Sequence, residues 1–263
     1  MSKVFGDYDQ AALDAQYEQR VWAPQMDDVI RRYAATSDAA RSRMGEPATH
    51  SYGPGAAEML DVYGVSRGKA FIFVHGGAWR RESRRESAFA AEAIVRAGAI
   101  YVALGFAPLP AATLPEMVSQ LCRGIEWVRR NLNDRIVLCG HSSGGHLAAC
   151  ALTRIEPVEN ALVVSGIYDL LPVRLSARNA YLRLDQQLEH EYSPIRHLGR
   201  IRCPVTVAWA EKDSAEFVRQ SRDFAVALRA PTIVGEGLDH FQMTETLADS
   251  TSPLGRAAIA MLE

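Results

Sequence analysis

A chain of 263 residues with 48% hydrophobic residues is long enough to bury its own core, and its net charge of −2 and lack of a basic stripe argue against a nucleic-acid ligand. No apolar run approaches the ~18 residues of a membrane helix, and the N-terminal segment lacks the apolar core of a signal peptide. The four cysteines show neither CxxC nor metal-ligand spacing, so we expect reduced core thiols. These features predict a cytoplasmic protein that acts on a small molecule, with no nucleic-acid or membrane partner; a homodimer stays open.

The first fifty residues are predicted to form a helical arm. Residues 9–33 are charged, alanine-rich and helix-prone, with Tyr17, Val21 and Trp22 as apolar points. Pro24 interrupts this pattern, and a helix should stop or restart there. Two interpretations stay open: an amphipathic arm packed on the domain, or part of a lid over the active site.

After Gly53 the pattern becomes strand, turn and helix. Short, nearly continuous apolar runs, typical of strands buried on both faces, occur at residues 70–74, 100–104, 136–139, 162–164, 205–208 and 232–234. Helical stretches lie between and after them, at residues 86–96, 114–131, 146–153, 216–228 and from Ser252-Pro253 onward. This alternation predicts a doubly wound, mostly parallel α/β sheet within a single domain of residues 1–263.

Residues 170–202 break the alternation. The segment is polar and helix-leaning, and it is too long for a simple connection between helix and strand. Ligands of α/β sheets bind beyond the carboxyl ends of the strands. We therefore expect a small helical lid there, with Tyr181 and Tyr192 of the lid and Trp22 of the arm lining the substrate pocket.

A nucleophile motif lies between the strand at 136–139 and an alanine-rich helix. Gly140-His141-Ser142-Ser143-Gly144 fits G-x-S-x-G, which needs this strand-turn-helix context to hold a serine at a tight turn. The serine oxygen then lies at a helix N-terminus, where developing negative charge is favoured. Ser142 is the predicted nucleophile, and Ser143 is expected to give its backbone N–H to the oxyanion.

A glycine pair follows the strand at 70–74, in His75-Gly76-Gly77-Ala78-Trp79. Paired glycines expose backbone N–H groups, so Gly76 and Gly77 are predicted to form an oxyanion hole together with Ser143. His75 and Trp79 are assigned to the pocket. For His75, bracing of this loop is favoured over proton transfer.

The general base must come late in the chain, because the order in this fold is serine, acid, histidine. His240 lies just past the last predicted strand and is favoured over His190 and His197 of the polar excursion.

The acid should end the preceding strand, and Asp213 follows the run at 205–208. Glu211 is the fallback. Asp169 is a weaker candidate that we expect to shape a loop, and Asp239 is expected to be surface charge. The predicted relay is Ser142, His240 and Asp213, which requires neither a metal nor an organic cofactor.

With these residues in place, the sequence resembles the kynurenine formamidase (arylformamidase) branch of the α/β hydrolases, near the hormone-sensitive-lipase-like esterases. The matching segments are the arm from Tyr8 to Trp22, the His75-Gly76-Gly77-x-Trp79 motif, residues 140–147, residues 165–170, Asp213-Ser214-x-Glu216-Phe217 and His240-Phe241. The resemblance implies the α/β-hydrolase fold and hydrolysis of a small acyl amide, such as a formyl group on an aromatic amine.

Two departures bear on the substrate. Formamidases of this type tend to have an aromatic residue where Ala78 stands, and the Tyr-Arg-Leu-Ala-Pro segment of the esterases is replaced by Gly105-Phe106-Ala107-Pro108. A short-chain carboxylesterase or another small-amide hydrolase is therefore the alternative. A non-catalytic ligand binder of the same fold is a remote one, because the predicted relay is intact.

Overall fold

The computed structural model describes residues 2–64 and 67–263, and its described part contains an eight-stranded sheet flanked by helices. The strands are β1 Ala48–Ser51, β2 Met59–Tyr63, β3 Ala70–Val74, β4 Ile100–Leu104, β5 Ile136–His141, β6 Asn160–Val164, β7 Val205–Ala210 and β8 Thr232–Gly235. Their order across the sheet is β1-β2-β4-β3-β5-β6-β7-β8. β1 and β2 are antiparallel to their neighbours, and β4, β3, β5, β6, β7 and β8 run parallel. The predicted doubly wound, mostly parallel α/β fold is confirmed.

The helices cover both faces of this sheet. They are α1 Gln10–Tyr17, α2 Gln19–Trp22, α3 Met26–Met44, α4 Ala91–Arg96, α5 Leu114–Asn131, α6 Ser143–Leu152, α7 Leu171–Leu175, α8 Asn179–Leu182, α9 Gln186–Glu191, α10 Ala215–Leu228, α11 His240–Glu245 and α12 Pro253–Ala260, with 3-10 turns at Glu86–Ala90, Pro194–Arg200 and Thr246–Ala248. The predicted helix at 86–96 is thus divided into a 3-10 turn and α4. Ser252 caps α12 through the Gly255 N–H at 2.9 Å, with Pro253 at the first helical position, as predicted.

The central strands separate two hydrophobic layers. Along β3, Ile72 and Val74 contribute to the layer under α5, α6 and α10, whereas Phe71 and Phe73 contribute to the layer under α3, α4 and α12. All five side chains of β3 are therefore buried. This two-sided burial explains why the strand is a continuous apolar run rather than an alternating one.

The two antiparallel strands at one end of the sheet, β1 and β2, were not predicted. β2 contains Asp61, which is buried, accepts a hydrogen bond from the Thr49 hydroxyl of β1 at 2.7 Å and pairs with Arg84 at 3.1 Å. β1 is short and mostly exposed. A charged residue within one strand and polar residues in the other hide the apolar signal on which strand prediction depends.

The N-terminal arm lies against the 170–202 excursion. The Asp14 carboxylate accepts from the Ala177 N–H at 2.6 Å, and the Gln10 amide donates to the Leu175 carbonyl at 3.0 Å. The arm is interrupted between α2 and α3, at the predicted proline. Within residues 2–64 and 67–263, every helix is too short or too polar to cross a bilayer.

Candidate active site

The segment that carries Ser142 makes a sharp turn between β5 and α6. Ser142 has φ 55° and ψ −124°, a backbone conformation that non-glycine residues seldom adopt and that is commonly found at functional sites. The neighbouring glycines are needed for space: a Cβ on Gly140 would lie 2.4 Å from the Gly144 carbonyl oxygen, and one on Gly144 would lie 2.2 Å from that of His75. The turn therefore holds the hydroxyl of Ser142 clear of both elements.

Three side chains that follow three different strands meet at this turn. His240 Nε2 lies 2.9 Å from Ser142 Oγ, and His240 Nδ1 lies 2.6 Å from Asp213 Oδ1. The other carboxylate oxygen of Asp213 accepts from the Ser165 hydroxyl at 2.6 Å and from the Ala210 N–H at 3.0 Å. Because the carboxylate can only accept, this arrangement places a proton on Nδ1 and leaves Nε2 free to accept the serine proton.

The alternative acids make other contacts. Glu211 is exposed and accepts from the Gly237 N–H at 2.6 Å. Asp239 caps α11 through two backbone N–H groups, which gives it a structural role in place of the expected surface charge. Asp169 accepts from a backbone N–H two residues on, as expected of a loop-shaping residue, and lies 3.4 Å from Arg196.

The other histidines of interest lie around the relay or away from it. His75 stacks on Phe106 with ring centroids 4.4 Å apart, and burial lowers its pKa to about 4, so it is neutral at pH 7. His141 Nε2 lies 3.0 Å from the backbone carbonyl of the relay histidine, and burial lowers its pKa well below the ordinary value. His190 and His197 contact each other on the excursion.

The loop after β3 is fastened to the serine turn. Gly77 has φ 92°, and a Cβ there would lie 2.2 Å from the Arg81 carbonyl oxygen. A Cβ on Gly76 would lie 3.1 Å from that of Ser142. The Trp79 N–H donates to Ser143 Oγ at 3.1 Å, a contact of the Ser143 side chain that the motif does not reveal. The contact between Trp79 and Ser143 thus joins this loop to the turn that carries Ser142.

A cavity of about 890 Å³ opens beside Ser142. Gly77 and Ala78 line it from the β3 loop, Tyr17 and Met26 from the arm, and Arg178 and Tyr181 from the excursion. Both segments that the sequence left as candidate lids therefore contribute to its wall. Its volume falls in the range of about 300–1,000 Å³ that small-molecule sites usually have.

Of the five predicted pocket residues, Tyr181 lines the cavity, whereas His75, Trp79, Trp22 and Tyr192 are not among the residues that line it. Trp79 is 0% exposed and donates through its indole N–H to His146 Nδ1 at 3.2 Å. Tyr192 is buried, and Trp22 donates to the Ala15 carbonyl at 2.8 Å. Buried aromatic residues near a site pack in the core as readily as they face a ligand, and sequence spacing does not distinguish the two arrangements.

Charged residues outside any motif also line the cavity. The Arg80 guanidinium lies over the Tyr181 ring, 4.6 Å from its centroid, and Arg178 donates to the Tyr17 carbonyl. Glu82 also lines the cavity, and burial raises the pKa of its carboxyl group to about 7. The sequence offered no signal for these residues, because composition and periodicity do not show which side chains of an irregular loop face a cavity.

Comparison with known proteins places the chain in a family. It is 34% identical to the kynurenine formamidase of Danio rerio, over 95% of each chain, and 31% identical to that of Salmo salar, over 97% of each chain. This chain belongs to the kynurenine formamidase family. The BD-FAE family model matches residues 60–162. A solved structure from Silicibacter sp. TM1040, described as a candidate thioesterase, superimposes with a TM-score of 0.84 at 25% identity, covering 95% of this chain and 98% of the other.

Membership of the kynurenine formamidase family makes the chain a hydrolase of the α/β-hydrolase fold. The predicted resemblance is confirmed at the level of fold, family and enzyme class.

Proposed function

We propose that this kynurenine formamidase homologue is a serine hydrolase that removes a small acyl group, formyl or acetyl, from an aromatic amine, with N-formylkynurenine-type amides as the best substrates. The observation that carries the proposal is the relay of Asp213, His240 and Ser142, joined at 2.6 and 2.9 Å. Two relatives are named kynurenine formamidases, which supports the C–N bond of a formamide as the bond that is cleaved.

In the acylation step, His240 Nε2 takes the proton of the Ser142 hydroxyl while the oxygen attacks the acyl carbon. Asp213 holds the Nδ1–H tautomer and stabilises the imidazolium that forms. The imidazolium then gives its proton to the nitrogen of the departing amine, so the C–N bond breaks and the amine leaves as a neutral molecule. Water attacks the formyl-enzyme with His240 again as base, and formate and the free serine are released.

The negative charge that develops on the acyl oxygen requires backbone donors. We assign this role to the N–H groups of Gly76, Gly77 and Ser143. Both glycines belong to the loop that adjoins the serine turn: a Cβ on Gly76 would lie 3.1 Å from that of Ser142. Loss of one oxyanion donor typically costs about 10²–10³ in kcat.

The leaving group is assigned to the cavity between arm and excursion. Tyr17 and Tyr181 supply aromatic surface there, Met26 adds a flexible apolar contact, and Ala78 leaves room next to the nucleophile. A flat aromatic amine suits such walls better than a flexible lipid chain does.

The second candidate function is hydrolysis of short acyl esters or thioesters. The same relay and oxyanion donors serve an ester, and the similarity to a structure described as a candidate thioesterase favours this alternative.

The test is a substrate panel at pH 7.5 with purified protein: N-formylkynurenine, 4-nitrophenyl acetate and 4-nitrophenyl octanoate. We expect deformylation with the highest kcat/KM, and loss of all three activities in Ser142→Ala. Brisk acetate hydrolysis without detectable deformylation would favour the esterase. Octanoate turnover above acetate turnover would contradict a small acyl pocket.

A further inference from the structure

The loop that follows β3 is held in a backbone conformation that its residues do not favour. Ala78 and Trp79 have φ values of 55° and 61°, in the left-handed region. Non-glycine residues are strained there, and such a conformation persists only where surrounding contacts fix it. The contacts of this loop therefore determine where the Gly76 and Gly77 N–H groups lie relative to the acyl oxygen.

Trp79 is the residue at which the loop is fastened. Its backbone N–H donates to Ser143 Oγ at 3.1 Å, and its carbonyl accepts from the Leu109 N–H at 2.8 Å. Its fully buried indole donates to His146 Nδ1 at 3.2 Å. Ser143 and His146 both belong to α6, the helix that begins directly after Ser142. Two of the three contacts therefore tie the oxyanion loop to the helix that follows the nucleophile.

The partners of His146 determine its tautomer. The Trp79 indole N–H can only donate, so Nδ1 has to accept and carries no proton. The proton then lies on Nε2, which donates to the Tyr192 carbonyl of the excursion at 2.8 Å. Burial lowers the pKa of His146 to about 4, so the ring is neutral at pH 7. Each ring nitrogen thus has a partner of the kind it requires, one in the loop and one in the excursion.

We propose that His146 is a positioning residue of the oxyanion hole: its Nδ1 holds the Trp79 indole, and Trp79 in turn keeps the N–H groups of the preceding glycine pair directed at the acyl oxygen. The inference rests on the proposed acyl transfer to Ser142. The role is indirect, because neither His146 nor Trp79 lines the cavity. A histidine that served only the core would contribute to the free energy of unfolding and leave the transition state unaffected, so kinetics separate the two roles.

Two substitutions of His146 isolate the contact with the indole. Leucine and asparagine have side chains of similar size and branching, and both lose the bond to Tyr192. Asparagine keeps an oxygen close to the position of Nδ1 that can accept from the Trp79 indole, whereas leucine does not. Trp79→Phe removes the donor from the other side of the same bond and keeps a buried ring.

Cys150→Ala is the matched control. Cys150 is buried one turn further along α6, and its thiol contacts the Tyr192 carbonyl and His146 Nε2, both at 3.4 Å. The substitution therefore disturbs the excursion side of the imidazole and keeps the bond between Nδ1 and the indole.

The experiment measures kcat and KM for 4-nitrophenyl acetate at pH 7.5, urea unfolding, and the inhibition constant of phenylboronic acid, which forms a tetrahedral adduct with an active serine. For His146→Leu we expect an about 10- to 100-fold lower kcat, less than the full loss of one donor, with KM changed by less than about threefold. The boronate inhibition constant should rise by a similar factor. His146→Asn should be at least about fivefold faster than His146→Leu, and Cys150→Ala should stay within about twofold of the unsubstituted enzyme.

The double variant tests whether the two residues act through one bond. Trp79→Phe should resemble His146→Leu within about threefold in kcat, and the combination should be no more than about twofold slower than the slower single variant. Losses that multiply in the double variant would overturn the positioning role.

An unchanged kcat and boronate inhibition constant in His146→Leu, whatever its stability, would make His146 a core residue only and overturn the proposal. Equal kcat values for His146→Leu and His146→Asn would do the same. If the His146 variants fail to fold, Trp79→Phe decides, and a kcat within twofold of the unsubstituted enzyme refutes the role. Full activity of Ser142→Ala would instead overturn the proposed function itself, so the two failures are distinguishable.

Discussion

The hydrogen bonds of Asp213 predict a specific failure for Asp213→Asn. The Ala210 N–H, 3.0 Å from Oδ2, can only donate, so the amide oxygen of asparagine must take that position. The amide NH₂ then replaces Oδ1, which lies 2.6 Å from His240 Nδ1. A donor at that position forces Nδ1 to accept, and the proton moves to Nε2, which can no longer accept the proton of Ser142.

The expected loss is about 10⁴ in kcat, the size seen when the same tautomer error is made in another serine hydrolase, with nearly unchanged geometry. At about 1.36 kcal/mol per factor of ten, this corresponds to roughly 5.4 kcal/mol of transition-state stabilisation. KM should change little, because Asp213 is not in contact with the cavity.

The assay compares kcat and KM for 4-nitrophenyl acetate at pH 7.5 in Asp213→Asn and in the matched control Glu211→Gln. Glu211 is an exposed acid two residues earlier, bonded to a backbone N–H, and its amide should leave kcat within about twofold. Circular dichroism checks that both variants fold. Asp213→Asn activity within tenfold of the unsubstituted enzyme, or an inactive Glu211→Gln, would refute the tautomer reasoning and move the acid role.

Three further predictions concern the oxyanion loop and the acyl group. Gly77→Ala should lower kcat by at least about 10²-fold, because the new Cβ would meet the Arg81 carbonyl. The control Gly98→Ala, at φ 87° and with no atom within 4 Å of the new Cβ, should affect only the melting temperature. Equal effects of the two substitutions on kcat would contradict this prediction. Ser143→Ala keeps its backbone N–H but leaves the buried Trp79 N–H unpaired, so we expect about 1–3 kcal/mol lower stability in urea unfolding and roughly tenfold lower kcat; a fully inactive variant would indicate a different nucleophile. Acetate should exceed octanoate in kcat/KM by tenfold or more across a series of 4-nitrophenyl esters, and a rise with chain length would refute the small acyl pocket.

Much of the fold could be predicted from the sequence because its central strands are buried on both faces. The runs at 70–74 and 100–104 coincide with β3 and β4, and the helix at 114–131 coincides with α5. The Thr113 capping box fixes the start of α5. β1 and β2 could not be predicted, because a buried Asp61 interrupts the apolar pattern and the register of an edge strand depends on its partner.

The positions of Ser142, Asp213 and His240 were predictable for a topological reason. Each follows the carboxyl end of a parallel strand, and β5, β7 and β8 lie close together in the sheet. The sequence order of strands and loops therefore predicts that these three residues lie together, without knowledge of side-chain packing.

The wall of the cavity was harder to predict. Trp79 and Tyr192 were both predicted to line the pocket, yet both are buried and neither lines the cavity. Glu82 and Arg178 line it, although neither belongs to a motif. Side-chain direction in an irregular loop depends on backbone angles such as the positive φ values after Gly77, which composition and periodicity do not report.

Covalent labelling of the nucleophile tests the central claim most directly. The protein is incubated with a fluorophosphonate, and the adduct is located by intact mass and peptide mapping. We predict a single adduct on Ser142, absent from Ser142→Ala and at least tenfold slower to form in His240→Ala. An adduct on Ser143, or one that persists in Ser142→Ala, would contradict the account.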